Sequence, residues 1–155
     1  RVVFRVDAVM KPGLPRKEKG AAAIEFALVF VAFFAVFYGV VSYSLPLLLM
    51  QSFNHSTAEA VRRSVALDPT VSPATYTQDV QNRALSVLSD QLAWVPSALK
   101  GSLNQQAVYS GGVLTVTVSL PASALSAIMP VLVLPGDITV PSLPTTLTAQ
   151  SSLQF

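Results

Sequence analysis

Gly20-Ala21-Ala22-Ala23-Ile24-Glu25-Phe26 joins two unlike stretches of chain. Before it lie Lys11, Arg16, Lys17 and Lys19; after it, Phe26 to Val41 contains no charged residue. One carboxylate, Glu25, stands five residues after Gly20, at the start of the apolar run. A charge in that position is unfavourable in lipid, and ionisable groups in membrane segments generally mark function.

The run continues almost unbroken from Ala21 to Met50. As a helix rising about 1.5 Å per residue, Ile24 to Leu45 covers roughly 33 Å, enough for a hydrocarbon core of about 30 Å. The basic residues immediately before it place residues 1–20 in the cytoplasm and the rest outside, by the positive-inside rule. Both the length and the charged flank argue against a helix buried in a soluble core. A cleaved secretory signal has an apolar region of about 7–15 residues followed by a small-residue site. This run is roughly twice that length. Its best small-residue site, Ala58-Glu59-Ala60, lies well past the membrane edge.

Charge is distributed unevenly along the 155 residues. Residues 1–20 carry six basic against two acidic residues, a net of +4, while the remainder carries four against six, a net of −2. The basic character therefore belongs to the leader, which argues against nucleic-acid binding, a function that needs a basic stripe on the folded domain. Charged residues make up 12% of the chain, about half the usual share of a soluble protein. The chain has no cysteine, which excludes disulfides, thiolate metal ligands and thiol nucleophiles.

Glu25 has two readings. In the first turn of a helix, a carboxylate is favoured by the helix dipole by a few tenths of a kcal/mol. Alternatively, a cut after Gly20 creates a cationic amine on Ala21, one turn from Glu25. In an array of such helices that amine pairs with a neighbour's carboxylate and sets the axial register.

Gly20 followed by Ala21-Ala22-Ala23-Ile24-Glu25-Phe26 is similar to the class III signal of type IV prepilins. More closely, the longer stretch Lys19-Gly20-Ala21-Ala22-Ala23-Ile24-Glu25-Phe26-Ala27-Leu28-Val29 resembles the TadE-like minor pilins, or pseudopilins, of tight-adherence (Flp, type IVc) systems. Ala58-Glu59-Ala60-Val61-Arg62-Arg63 and Val113-Leu114-Thr115-Val116-Thr117-Val118-Ser119 resemble later parts of that family. The arginines depart from its usual form, being adjacent rather than spaced, so no role is carried over to them. The resemblance implies cleavage between Gly20 and Ala21 by a prepilin peptidase, methylation of the new amino terminus, and a helix that stays in the inner membrane or enters a pilus. Gly20 and Ala21 are then the processing residues, and Glu25 and Phe26 the assembly contacts. The implied partners are the peptidase, other pilins or pseudopilins, the inner-membrane assembly platform and the membrane itself. Met10 would begin a short basic leader ending at Gly20, and residues 1–9 have no derivable role.

Beyond the membrane the helix is expected to continue as a stem to Asp68, with Pro46 bending it and Pro69 ending it. Met50, Phe53, Thr57, Val61 and Val65 share one face; Ser52, His55, Ser56, Glu59, Arg62 and Arg63 share the other. Glu59 and Arg63, four apart, form a weakly stabilising pair. After a linker over Asp68–Thr75, a second helix is expected over Thr75–Val95. Its apolar stripe of Tyr76, Val80, Ala84, Val87, Leu88, Leu92 and Val95 faces a sheet, and Trp94 sits in the core or at its rim. Gln106–Tyr109, Ser110-Gly111-Gly112 and Val113–Leu120 read as a β-hairpin, with Leu114, Val116, Val118 and Leu120 on one side. Residues 122–144 hold too many prolines for a regular element beyond a short helix at Ala122–Met129 and an edge strand at Val131–Leu134. Thr145–Phe155 alternates again, with Leu147, Ala149, Ser151, Leu153 and Phe155 on one face, and is expected to pair with Val113–Leu120. The expected fold is α+β, a long membrane helix and stem over 21–68 carrying an extracytoplasmic head over 69–155.

No catalytic constellation emerges. His55 is the sole histidine, no Gly-x-Ser-x-Gly elbow is present, and one His with scattered acids builds no metal site. Gly111-Gly112 is a turn signal without the Gly-Lys-Ser/Thr of a phosphate loop. No cofactor or metal is expected, and the only chemistry is that of a peptidase substrate. The alternative is an uncleaved, signal-anchored envelope protein of TadG-like type, whose head binds an envelope component or a surface ligand.

Overall fold

A computed structural model describes residues 16–71, 73–134 and 138–155. The leader up to Pro15, with the candidate start Met10 and with Lys11, lies outside the described residues, as do Pro135 and Asp137. The described elements follow the order α1 (Arg16–Ser64), α2 (Tyr76–Gln91), α3 (Ser97–Lys100), β1 (Asn104–Ser110), β2 (Val113–Pro121), a 3-10 turn (Ala122–Ala127), β3 (Leu132–Leu134), β4 (Ile138–Val140) and β5 (Thr146–Gln154). The architecture is α+β, as the sequence predicts. The chain divides into two compact units, one ending at Tyr38 and one running from Gly39 to Phe155.

In the first unit α1 is apolar and its described side chains are exposed up to Phe37. Among the described residues it is the one helix long and apolar enough to cross a membrane, and none of its most apolar window is buried. A soluble core helix would bury such a window, so this exposure favours a lipid-facing helix.

In the second unit, the distal half of α1 forms one wall of the core. Leu49, Phe53, Ala60 and Val61 are buried there with Val80, Ala84, Val87 and Leu88 of α2 and the inward row Leu114, Val116, Val118 and Leu120 of β2. Helix α2 lies against β1 and β2, and its buried residues are those of the predicted stripe. Ser56 departs from the expectation: placed by pattern on the polar side, it is buried. With Thr57, Ala60 and Ser64, also buried, it makes a row of small side chains on this face of α1. Two of these hydroxyls are bonded locally or across the core, Ser64 Oγ donating to the Ala60 carbonyl at 2.7 Å and Thr57 Oγ1 meeting Ser151 Oγ at 3.0 Å. Small polar groups with such bonds are as admissible in a core as alanine.

The sheet has the order β1-β2-β5 and is antiparallel throughout. Ser110 pairs with Val113, leaving Gly111 and Gly112 as a two-residue loop with φ of 60° and 77°. Two consecutive positive φ values define the hairpin turn whose twist matches the strands, and glycine adopts them without strain. The terminal strand pairs with β2 as expected, Leu120 opposite Leu147 and Val118 opposite Ala149. Leu153, however, is 45% exposed, because the inward row of β5 ends at Ser151.

Boundaries moved where pairing or proline overrode pattern. Helix α1 ends at Ser64, ahead of Pro69, and turns lead to Asp68, whose Oδ1 accepts from the amide and hydroxyl of Thr70. Helix α2 stops at Gln91 rather than Val95; the bonds tighten to Ala93 N–Asp90 O and Val95 N–Leu92 O before Pro96, whose ring disfavours a helical Val95. Strand β1 begins at Asn104, two residues early, since Asn104 lies opposite Ser119. The largest miss is β4. Residues 122–144 do hold a second regular pair, β3–β4, with Leu132 opposite Val140. The prolines at 130 and 141 stand outside its strands rather than within them. Trp94 is 48% exposed, a rim residue whose Nε1 donates to Ser52 Oγ at 3.3 Å.

Phe53 and the hairpin glycines give separable tests. Phe53→Ala should cost about 3–5 kcal/mol by emptying a fully buried site, and Gly111→Val about 1–2 kcal/mol by forcing a branched residue to positive φ. Chemical denaturation of the detergent-solubilised full chain reads both, and equal small losses would contradict this account of the core.

Candidate functional site

The candidate residues lie in the first turns of α1. Gly20 and Ala21 are both exposed and both helical, so the bond between them sits inside the helix rather than at its end. A Cβ added to Gly20 would meet nothing within 4 Å, and its φ is not in the left-handed region. Glycine inside a helix costs about 1 kcal/mol relative to alanine. The fold therefore has no need of glycine here and is slightly weakened by it.

Glu25 is exposed on the apolar part of α1. It has no hydrogen bond or ion pair with any described residue. Its expected place in the first helical turn is corrected: α1 begins at Arg16, so Glu25 is more than two turns inside. Dipole stabilisation falls off within the first turn, and that account of the carboxylate fails for the unprocessed chain.

Phe26 is 71% exposed, and its ring stacks on Phe30 with centroids 6.1 Å apart. The stack continues through Phe34 to Tyr38 at 6.3 and 6.4 Å, and Phe33 stacks on Phe37 beside it at 6.1 Å. Residues four apart sit one above the other on a helix, which produces the ladder. The period-four spacing of aromatics was present in the sequence and its meaning was missed. Glu25 and Phe26, being consecutive, point to different sides of the helix and do not form one site.

Farther along α1, beyond the reach of Ile24–Leu45, Glu59 gathers both arginines. Arg62 donates through Nε and Nη2 at 2.8 Å each, and Arg63 through Nε at 2.6 Å. The sequence reading anticipated Arg63 alone. Hydrogen bonds from Arg62 and then Arg63 hold the Glu59 carboxyl down to about 2. Because this lies below the ordinary carboxylate range, whatever the cluster contributes is present above that range and is lost only as pH falls towards 2. His55 is exposed, and among the described residues no group of three or more His, Cys, Asp or Glu could hold a metal ion.

One spanning-length apolar helix that continues into the core of a small α+β unit defines a single-pass membrane protein with a folded head. Residues 20–62 match the family model of TadE-like proteins. Over that segment, which is less than half of the chain, the sequence is similar to TadE-like proteins. Searches of curated proteins and of solved structures found no match to the chain.

If Gly20 is dispensable to the fold, Gly20→Ala should leave the helical content and denaturation midpoint of the full chain unchanged or slightly raised. Circular dichroism in detergent measures this, and a loss of helix would give the glycine a structural role.

Proposed function

We propose that this chain is a minor pilin or pseudopilin, cut after Gly20 by a prepilin peptidase and taking part in assembly of a type IVc (Flp/Tad) pilus. The observation that carries the reading is the pairing of a glycine the fold does not need with a carboxylate, five residues later, that has no partner among the described residues, inside the segment similar to TadE-like proteins. Hydrolysis adds water across the Gly20–Ala21 amide, leaving a carboxylate on the leader and an amine on Ala21. A peptidase needs its substrate extended, and the weak helix propensity of Gly20 eases local unwinding at that bond. The new amine, with an ordinary pKa near ~8, is cationic at neutral pH.

In this reading the leader lies in the cytoplasm and the head in the periplasm, and the chain acts as a structural subunit rather than an enzyme. Glu25 of one subunit accepts the Ala21 ammonium of the next. In a low-dielectric bundle such a pair is worth far more than in water, and either charge alone is strongly unfavourable. Phe26, on a different side of the helix, offers its exposed ring to another neighbouring subunit. The partners are the peptidase, other pilins or pseudopilins and the inner-membrane assembly platform.

Mass spectrometry of the protein extracted from membranes should find a mature chain beginning at Ala21, and Gly20→Leu should abolish it. A leader retained beside an active peptidase would instead support the uncleaved, TadG-like anchor. Glu25→Ala should leave insertion and cleavage intact while reducing assembled pili, about tenfold for each ~1.4 kcal/mol withdrawn from the assembly contact. Normal pilus yield from Glu25→Ala would remove the inter-subunit pair.

A further inference from the structure

Apolar exposure on α1 does not stop where a bilayer would. Leu47 and Leu48 are 66% and 53% exposed, within the second compact unit. From Ile24 to Leu48 the helical rise is about 37 Å, beyond the ~30 Å hydrocarbon core. Tyr43 to Leu48 thus fall at the far interface, the level at which tyrosine and tryptophan accumulate.

That level of the second unit holds a groove of about 460 Å³ between α1 and the segment leading into β5, lined by Tyr43, Pro46, Leu47, Met50, Leu143 and Leu147. Its walls are almost wholly apolar, and its size is within the ~300–1,000 Å³ of small-ligand sites. The Tyr43 hydroxyl accepts from the Ser142 amide at 2.8 Å and ties this segment to the helix. Ser142 follows β4 by two residues, so the β3–β4 pair is held close to the same level. That pair and its approach present Val131, Leu132 and Val133 to solvent, Val133 at 64% exposure. Charge is sparse there: between residues 101 and 155 the sequence has a single charged residue, Asp137, which lies between β3 and β4, and between 26 and 58 it has none.

We propose that the base of the head, comprising the groove, Leu47–Leu48 and the β3–β4 pair, rests in the outer interface of the membrane that α1 crosses, and that a phospholipid acyl chain occupies the groove. Tyr43 to Met50, which form the helical wall of the groove, follow the span directly in sequence. The groove is apolar where a chain must lie, and it has hydroxyls at Tyr43, Thr146 and Thr148 for the headgroup side. The proposal rests on α1 being a membrane span. Its consequence is that the head is held flat to the bilayer until the subunit leaves it, so that extraction must free the base as well as the helix.

Tryptophan quenching by brominated lipid tests this in the full chain, reconstituted in phosphatidylethanolamine–phosphatidylglycerol nanodiscs. In a Trp94→Phe background a single tryptophan is placed at Leu28, Val133 or Val108, three exposed positions where no buried contact is lost. Val108 lies opposite Thr115, five residues up β2 from Leu120, or about 17 Å from the groove end of the sheet. Leu28→Trp should lose emission to lipids brominated near the chain end, Val133→Trp to lipids brominated near the headgroup, and Val108→Trp to neither. Quenching at Leu28→Trp with none at Val133→Trp overturns the docked head and leaves the span intact. No quenching at Leu28→Trp overturns the span itself. A photoreactive residue at Leu47 should yield a lipid adduct by mass spectrometry; a dimer adduct alone would assign the surface to a second copy and overturn the lipid.

Discussion

A chain crossing about 30 Å of hydrocarbon has no water to satisfy its amides and carbonyls, so a single crossing must be a helix with its backbone bonds closed internally. This constraint governs α1. It requires an unbroken helical segment of roughly 20 apolar residues, and α1 supplies it with exposed phenylalanine, valine and leucine. The same helix then changes solvent. From Leu49 onward the row that would face lipid is replaced by one that faces a protein core, with Phe53, Thr57, Ala60 and Val61 buried.

The head is organised by that second use of α1. A three-stranded sheet can cover one face with a helix, and α2 does so against β1 and β2. The distal half of α1 contributes Leu49 and Phe53, two of the largest fully buried side chains, to the same core. Removing α1 beyond Gly39 would leave α2 and the sheet with an apolar wall open to water, so the distal half of α1 is part of the head's own core. An edge-to-face contact between Tyr76 and Tyr109 and a further ring, Phe155, fasten the start of α2 to β1 and the end of β5.

Much of this was legible from residue order. The spanning run, the α2 stripe, the Gly111-Gly112 turn and the inward row of β2 each rest on a local period or a turn chemistry that few alternatives share. The candidate site was legible for the same reason, since glycine, small residues and a lone carboxylate at an apolar boundary form a local signal. What remained hidden depended on distant partners. Ser56 is buried because of what packs against it, not because of its own polarity. Strand β3 was legible as an edge strand, but its partner β4 escaped notice because the prolines flanking the pair mask strands three residues long. Leu153 fits the alternating pattern of β5 yet reaches solvent, since the core ends before the strand does.

The sequence by itself determined the membrane helix, the α+β class and the Gly20–Glu25 junction, because hydropathy, helical period and turn residues act within a few positions of one another. Only the tertiary structure decided that Gly20 has no packing or dihedral reason to be glycine and that Glu25 lies well inside α1 without a partner among the described residues. It alone brought the Tyr43 hydroxyl to the Ser142 amide, ninety-nine residues away, beside the apolar groove that Tyr43 and Leu143 line. Such facts depend on which surfaces meet across the fold, and contact over that separation is set by packing rather than by any local propensity.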